Sequence, residues 1–433
     1  RIPLRCIRAT AITPGLVVGA ADLAARATPV QSRRMSELEA VFSPTGALSK
    51  VLPGWRARPQ QMEMAEAVEA AIKGNGVLLA EAGTGTGKTL AYLVPALLSG
   101  GKVVVSTGTK ALQDQLFHRD LPAARRALAS PVAVALLKGR ANYVCRHHLE
   151  RNLADGRFGS RDDVIWLRKI ARFAETTKSG DRAEAEGIPE DASAWHYAVS
   201  SRDTCLGSDC EYHKDNCFVM QARKAAMEAE VVVVNHHLFF ADLWLKDEGV
   251  AELLPACNTV ILDEAHQLAD TATQFFGETV STAQLLELAS DTKKLAAVHA
   301  ADFPALRESA ELMAKTARDL RLVLPLNPVK HVENEVSGRY EDWGSALKTL
   351  RDALEELVGL LQTQAERDAE LKNAHERARV ILAGLINWQS EDPPDTPRVR
   401  WLETTLSSLL LHTTPLSIGA LFGGKLAERV QAW

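Results

Sequence analysis

The chain has 433 residues, 46% of them hydrophobic and 24% charged, with a formal net charge of −5. Domains usually run to about 100–200 residues, so this length supports two or three packed cores. No run approaches the ~20 uninterrupted apolar residues of a membrane-spanning helix, which excludes such a helix and makes the cytoplasm the expected compartment. The acidic balance also excludes a uniformly basic nucleic-acid coat.

Residues 1–34 carry Arg1, Arg5, Arg8, Arg26, Arg33 and Arg34 with Asp22 as their only acid, and ordinary globular composition begins at Met35. The expectation is a disordered leader that is not native coding sequence. A secretory signal competes, because residues 15–21 are faintly apolar behind basic residues, but Asp22 interrupts the run. Next, Met62, Ala65, Val68, Ala71 and Ile72 recur at helical spacing and predict a helix over 60–73. The apolar run Val77-Leu78-Leu79-Ala80 leads into a glycine-rich turn, a helix over 88–98 and a strand over 102–106. Residues 101–150 form a local basic stretch, with eight Lys or Arg against three Asp or Glu. Val231-Val232-Val233-Val234 and Val260-Ile261-Leu262 read as two more strands. Continuous β-branched runs alternating with helices imply a parallel sheet covered on both faces. The expected fold class is therefore α/β, a RecA-like P-loop sheet.

The turn reads Ala82-Gly83-Thr84-Gly85-Thr86-Gly87-Lys88-Thr89, the [AG]-x-x-x-x-G-K-[ST] pattern with Ala82 in the first glycine position. Such a turn between strand and helix points backbone N–H groups inward, so phosphate oxygens meet donors and a positive helix end together. Lys88 can reach the β/γ-phosphates and the Thr89 hydroxyl can ligate Mg²⁺. After Thr259-Val260-Ile261-Leu262 comes Asp263-Glu264-Ala265-His266. There Asp263 can hold the metal's water shell and Glu264 can orient or deprotonate an attacking water. Either half alone could be a capped helix or a solvated acid pair, but together they describe a nucleoside triphosphatase.

Cys205, Cys210 and Cys217 cluster, Cys145 lies sixty residues before the first of them, and Cys6 and Cys257 stand apart. Clustered thiols in a protein with a nucleotidase core point to metal rather than disulfides. The spacings are x₄ and then x₆, with no second close pair of the kind structural zinc usually takes. They suit a four-thiolate iron–sulfur cluster, while His147, His148 and His213 keep a zinc site open and free thiols remain a third reading. Further on, Leu347, Leu350, Leu354, Leu357 and Leu361 recur at three and four residues among charges, so 276–395 is expected to be a helical insertion. Residues 400–403 and 407–411 are expected to be strands returning to the first α/β domain.

Several stretches together resemble the iron–sulfur superfamily 2 DNA helicases of the DinG/XPD type, from about Met35 to the end of the chain. They are Arg58-Pro59-Gln60-Gln61-Met62, the phosphate loop preceded by Glu81, Ser106-Thr107-Gly108-Thr109-Lys110-Ala111-Leu112-Gln113, Lys138-Gly139-Arg140-Ala141-Asn142-Tyr143-Val144-Cys145, Cys205-Leu206-Gly207-Ser208-Asp209-Cys210, Val234-Asn235-His236-His237-Leu238 and the Asp-Glu-Ala-His stretch.

The resemblance implies ATP and Mg²⁺ as ligands, with Arg58 and Gln61 reading adenine and with Lys88, Asp263, Glu264 and His266 serving hydrolysis. It implies a [4Fe–4S] cluster on Cys145, Cys205, Cys210 and Cys217, although the last spacing is one residue longer than in the family and predicts a bulge over 211–216. It implies 5′→3′ movement on single-stranded and forked DNA in repair or replication, contacted by Thr107, Lys110, Arg140 and Asn235. The implied layout is a RecA-like domain over 35–144, 218–275 and 396–433, a cluster domain over 145–217 and a helical arch over 276–395. The second RecA-like domain of the family is not recognisable in the sequence. A clamp-loader accessory subunit is the implied partner. A DEAH-type RNA remodeller with zinc and a noncatalytic nucleotide- and DNA-binding fragment remain as alternatives.

Overall fold

The computed structural model describes residues 9–13, 16–17, 36–83, 85–156, 158–247, 253–325, 327–392, 397–415 and 430–433. The chain forms two compact units: 1–138, 221–271 and 420–433 make the first, and 139–220 with 272–419 make the second.

The strands of the first unit are β1 (Ala9–Thr13), β2 (Leu16–Val17), β3 (Val77–Ala80), β4 (Val103–Thr107), β5 (Val134–Leu136), β6 (Val231–Asn235) and β7 (Thr259–Leu262). Four of them form a parallel sheet in the order β5-β6-β4-β7. β4 is buried along its whole length, as a valine-rich strand covered on both faces must be. The expected strands are all present, while β5 escaped the sequence reading because three residues give too short a run to carry periodicity. The helices Pro59–Lys73 and Lys88–Leu98 pack through Met64, Ala65, Val68, Ala91, Leu93 and Val94 into the core that also holds Val103, Val105, Val231 and Val233.

β3, which carries the phosphate loop, does not pair directly with β7. The last residues of the chain lie between them: Leu78 N–H donates to Trp433 O, Trp433 N–H to Gly76 O, and Val260 N–H to Ala432 O. On its other edge β3 pairs antiparallel with β1, Ala9 opposite Ala80 and Ile12 opposite Val77. This corrects the expected disorder of the leader for residues 9–13 and 16–17. The segment Ala9-Thr10-Ala11-Ile12-Thr13 is uncharged and rich in strand formers, and an exposed sheet edge offers it unpaired backbone groups. The remainder of the leader lies outside the described residues.

In the second unit, helices Thr282–His299, Pro304–Leu322, Trp343–Gln364 and Ala369–Gln389 enclose one apolar core. Leu347, Leu350, Leu354, Leu357 and Leu361 are all buried in it, as their spacing requires. The region is not purely helical. β8 (Glu278–Ser281), β9 (Val329–Val332), β10 (Arg398–Thr404) and β11 (Leu409–Pro415) form an antiparallel sheet in the order β8-β11-β10-β9. This corrects the expectation that 400–403 and 407–411 rejoin the first α/β domain: Leu402, Leu409 and Leu411 alternate into the core of the helical unit.

Within the same unit the cysteine-bearing segment meets the helix Ala369–Gln389 through a largely covered ion cluster at Glu370 and an exposed ion pair beside it. Glu370 accepts from His147 Nε2 at 2.9 Å and from Arg151 Nη1 at 3.0 Å, and Lys372 pairs with Asp209 at 2.8 Å. Burial alone would raise the Glu370 carboxyl, but the His147 hydrogen bond and the Arg151 charge overcome it and hold the group down, to about 2. A depressed carboxyl contributes stability above its ordinary value of 4.5 and loses it as the pH falls towards about 2. Glu370→Gln should therefore lower unfolding free energy near neutral pH by roughly 2 kcal/mol, and its deficit should shrink as urea titrations are repeated at falling pH. A deficit independent of pH would contradict this role.

Candidate nucleotide site and cysteine cluster

The phosphate loop leaves β3 at Ala80 and enters its helix at Lys88. Gly85 and Gly87 adopt φ of 78° and 85°, a left-handed region that favours glycine. A Cβ on Gly87 would also stand 2.2 Å from the Gln61 side-chain nitrogen. The Gln61 amide donates to Gly87 O at 2.8 Å, the Arg58 guanidinium donates to Gly85 O, and the Thr86 hydroxyl donates to Gly83 O at 2.9 Å. Arg58 and Gln61, assigned by resemblance to adenine, here brace the carbonyls of the loop. Ala82 lies just before the turn, and Thr84 lies outside the described residues.

β7 delivers Asp263 and Glu264 to the same place. Asp263 N–H donates to Ser106 O at 2.8 Å, which fixes the acid pair against the end of β4. Glu264 takes a left-handed conformation, φ 54°, uncommon for a residue with a side chain. Its Oε1 lies 3.3 Å from Lys88 Nζ and its Oε2 lies 3.4 Å from His266 Nδ1. The His266 side chain is 70% exposed, so it leans on Glu264 from solvent. Burial, followed by the Glu264 charge, raises the Asp263 carboxyl, and Lys88 opposes both. Lys88, Asp263, Glu264, His266, Tyr92 and Ala82 line a cavity of about 930 Å³.

Behind the acids lies a buried pair that the sequence reading did not single out. Ser106 Oγ and His236 Nδ1 are 2.7 Å apart, and the His236 ring also meets the backbone of Asp263 and Glu264. Burial pushes His236 down to about 4, so the ring is neutral at physiological pH. Gly108, two residues past Ser106, lies so close to Gln267 that a Cβ there would stand 2.1 Å from its Oε1. The strand end that carries the proposed DNA contacts is thus packed against the acid turn.

The four DNA candidates fall in different settings. Thr107 and Asn235 are register partners at the ends of β4 and β6. The Thr107 hydroxyl is buried without a partner, and Asn235 Oδ1 accepts from Leu238 N–H at 2.9 Å. Lys110 is exposed and opens a helix capped by Thr109. Arg140 belongs to the second unit and starts a short turn over Arg140–Asn142.

In the second unit, Cys145 lies within electrostatic reach of Cys205 and Cys210, and Cys210 within reach of Cys205 and Cys217. Burial pushes the Cys145 thiol up to about 11, against a hydrogen bond from the His148 backbone. Residues 211–216 form successive turns, with His213 N–H on Cys210 O and Asn216 N–H on Tyr212 O. His147 is committed to Glu370. His148 Nε2 lies 3.1 Å from Thr204 O, and burial followed by the Arg151 charge lowers that ring to about 4. Among the described residues, no three His, Cys, Asp or Glu stand around a single point as ligands of one ion.

Residues 58–144 match the family of DEAD/DEAH box helicases. Over 395 residues, 90% of this chain and 61% of the other, the sequence is 42% identical to the ATP-dependent DNA helicase YoaA of Escherichia coli. The chain thus carries a DEAD/DEAH box helicase domain over residues 58–144. It is 38% identical to YoaA of Haemophilus influenzae over 404 residues, covering 92% of this chain and 62% of that one. It is 39% identical to the ATP-dependent helicase DinG of Mycobacterium tuberculosis over 258 residues, 54% and 38% of the two chains. The chain thus spans about three fifths of the length of the YoaA relatives. A solved structure named truncated XPD aligns over 85% of this chain and 90% of its own, with a TM-score of 0.40 and 14% identity, too low a likeness to carry an argument.

The geometry separates the roles of the two ends of the ion pair. Lys88→Ala should weaken ATP binding by about 10–100-fold, the value of charge-assisted hydrogen bonds to phosphate. Glu264→Gln removes the charge that holds Lys88 away and should bind at least as tightly as the parent. Equal losses in equilibrium titrations with a fluorescent ATP analogue would contradict the assignment.

Proposed function

We propose that the chain is the first motor lobe, with its inserted domains, of an ATP-dependent DNA helicase that moves 5′→3′ along single-stranded DNA and opens forked DNA in repair or replication. The observation that carries this reading is the convergence of Lys88, Asp263 and Glu264 on one cavity beside the phosphate-loop helix. The relatives reported above carry helicase names, and a cytoplasmic setting is part of the proposal; among the described residues no helix is long and apolar enough to cross a membrane.

In this reading the loop N–H groups and Lys88 bind the β/γ-phosphates, which draws Lys88 off Glu264 and frees that carboxylate to hold the attacking water. The hard oxygens of Thr89 and Asp263, with the buried Tyr92 hydroxyl facing both, fit Mg²⁺. When bound, that ion neutralises phosphate charge. The Asn235 amide nitrogen and Lys110 can donate to the DNA backbone, as Arg140 can from the second unit. The buried Thr107 hydroxyl serves the strand end rather than a phosphate.

The donor set of Cys145, Cys205, Cys210 and Cys217 favours a [4Fe–4S] cluster over zinc. Zinc needs four ligands within about 2.3 Å of one point, whereas a cluster takes one thiolate per iron and spreads them. Of the three histidines that kept zinc open, His147 and His148 are already bonded elsewhere. No residue of the chain matches the implied clamp-loader contact, and that partner is not carried further.

Anaerobically purified protein should be brown and hold about four irons per chain, unchanged by Cys6→Ser or Cys257→Ser and lost with Cys210→Ser. Stoichiometric zinc in place of iron, with a preference for RNA, would favour the DEAH-type RNA remodeller. The sequence contains no Gln-x-x-Gly-Arg-x-x-Arg stretch to supply arginine fingers, whose contribution in P-loop enzymes is ~10³–10⁵ in rate. The 433-residue chain should therefore bind Mg-ATP and single-stranded DNA, the latter weakening steeply with salt. It should show little DNA-stimulated hydrolysis, and a longer polypeptide that supplies such arginines should hydrolyse ATP and separate strands. Strand separation by this chain alone would overturn the division of labour.

A further inference from the structure

The phosphate-loop helix places Thr89 and Tyr92 three residues apart, on one face of its first turn. The Tyr92 ring packs in the core of the first unit and the residue is 4% exposed. Its hydroxyl is buried and closes no hydrogen bond of good geometry. Buried polar atoms without partners are rare, and an orphan beside a cavity calls for an explanation. The polar side chains that this hydroxyl faces are the Thr89 hydroxyl and the Asp263 carboxylate. Both are the oxygens that the proposed function gives to magnesium. Their elements differ: Thr89 rides on the helix and Asp263 on the end of β7. The phenol is the rigid group between them, since a tyrosine ring packed on its sides has little freedom to move.

We propose that Tyr92 is a positioning residue of the magnesium–nucleotide site, its hydroxyl holding Thr89 and Asp263 at the spacing a hydrated divalent cation needs and hydrogen-bonding a water of that cation's shell. Magnesium keeps several of its waters when bound to protein, so such a partner is available to the phenol only when the cation is present. The inference rests on the reading of the cavity as a site for nucleotide with magnesium. It assigns to Tyr92 a role that packing alone would not require, because phenylalanine would fill the same space.

The test uses the full chain and a fluorescent ATP analogue, titrated with Mg²⁺ at fixed nucleotide and, separately, in EDTA. Tyr92→Phe keeps the ring and should raise the Mg²⁺ half-saturation about tenfold, the loss of one hydrogen bond to a charged group. Nucleotide binding in EDTA and the melting temperature of the nucleotide-free protein should stay at the parent values. An unchanged Mg²⁺ half-saturation overturns the inference and leaves the nucleotide site standing. A variant that loses EDTA binding and melts lower shows a purely structural tyrosine and also overturns it. A parent chain that fails to bind nucleotide with Mg²⁺ removes the proposed function and this inference together.

Discussion

Lys88 and Glu264 meet across the gap between two strands that do not pair with each other, and the functional geometry of the first unit follows from that meeting. The lysine stands on the phosphate-loop helix and the glutamate on a left-handed turn after β7. Their attraction is worth little if both are hydrated, but each is roughly three-quarters covered, so the pair is screened less than a surface one. It supplies a partner to a cation that would otherwise face an empty cavity. It also holds the glutamate beside the phosphate loop. In the proposed function, phosphates entering the loop would compete for the same ammonium group, which would make occupancy of the site and the freedom of Glu264 one event.

The acid turn is tied to the rest of the unit by a chain of hydrogen bonds. Asp263 is bonded to the backbone of Ser106, Ser106 to His236, and His236 lies against the acid turn. A neutral buried imidazole suits this place, since it can exchange hydrogen bonds without adding charge beside two carboxylates. Gly108 against Gln267 adds a second contact between the same two segments. The acid turn is therefore linked to the end of β4, two residues before Thr109, the cap of Lys110's helix.

Much of the geometry of the candidate nucleotide site was legible because it is local: glycines with positive φ, a lysine at a helix start and acids at a strand end each sit within eight residues of sequence. The parallel sheet was legible because Val103–Val105 and Val231–Val234 are too apolar to be anything but buried. What escaped was long-range. Neither Tyr92 nor His236 carries a local sign of its long-range partner, and only the fold brings their polar atoms to Asp263 and Ser106. Glu370 lies more than two hundred residues from His147 and carries no local signal of its partner. The hairpin of β10 and β11 was read as strand but placed in the wrong unit, because alternation shows that one face is buried and not which core buries it. The leader misled for the opposite reason: its arginines signalled disorder, while the five uncharged residues between them found the free edge of β3.

The most direct test of the account is a crystal structure of the chain with Mg²⁺, ADP and beryllium fluoride. The account predicts that Lys88 Nζ leaves Glu264 for the β-phosphate and the fluoride group, that Thr89 and Asp263 face the metal, and that the loop keeps the Gly85 and Gly87 conformations seen without ligand. A nucleotide bound elsewhere, or a Lys88–Glu264 pair intact beside bound phosphates, would contradict it.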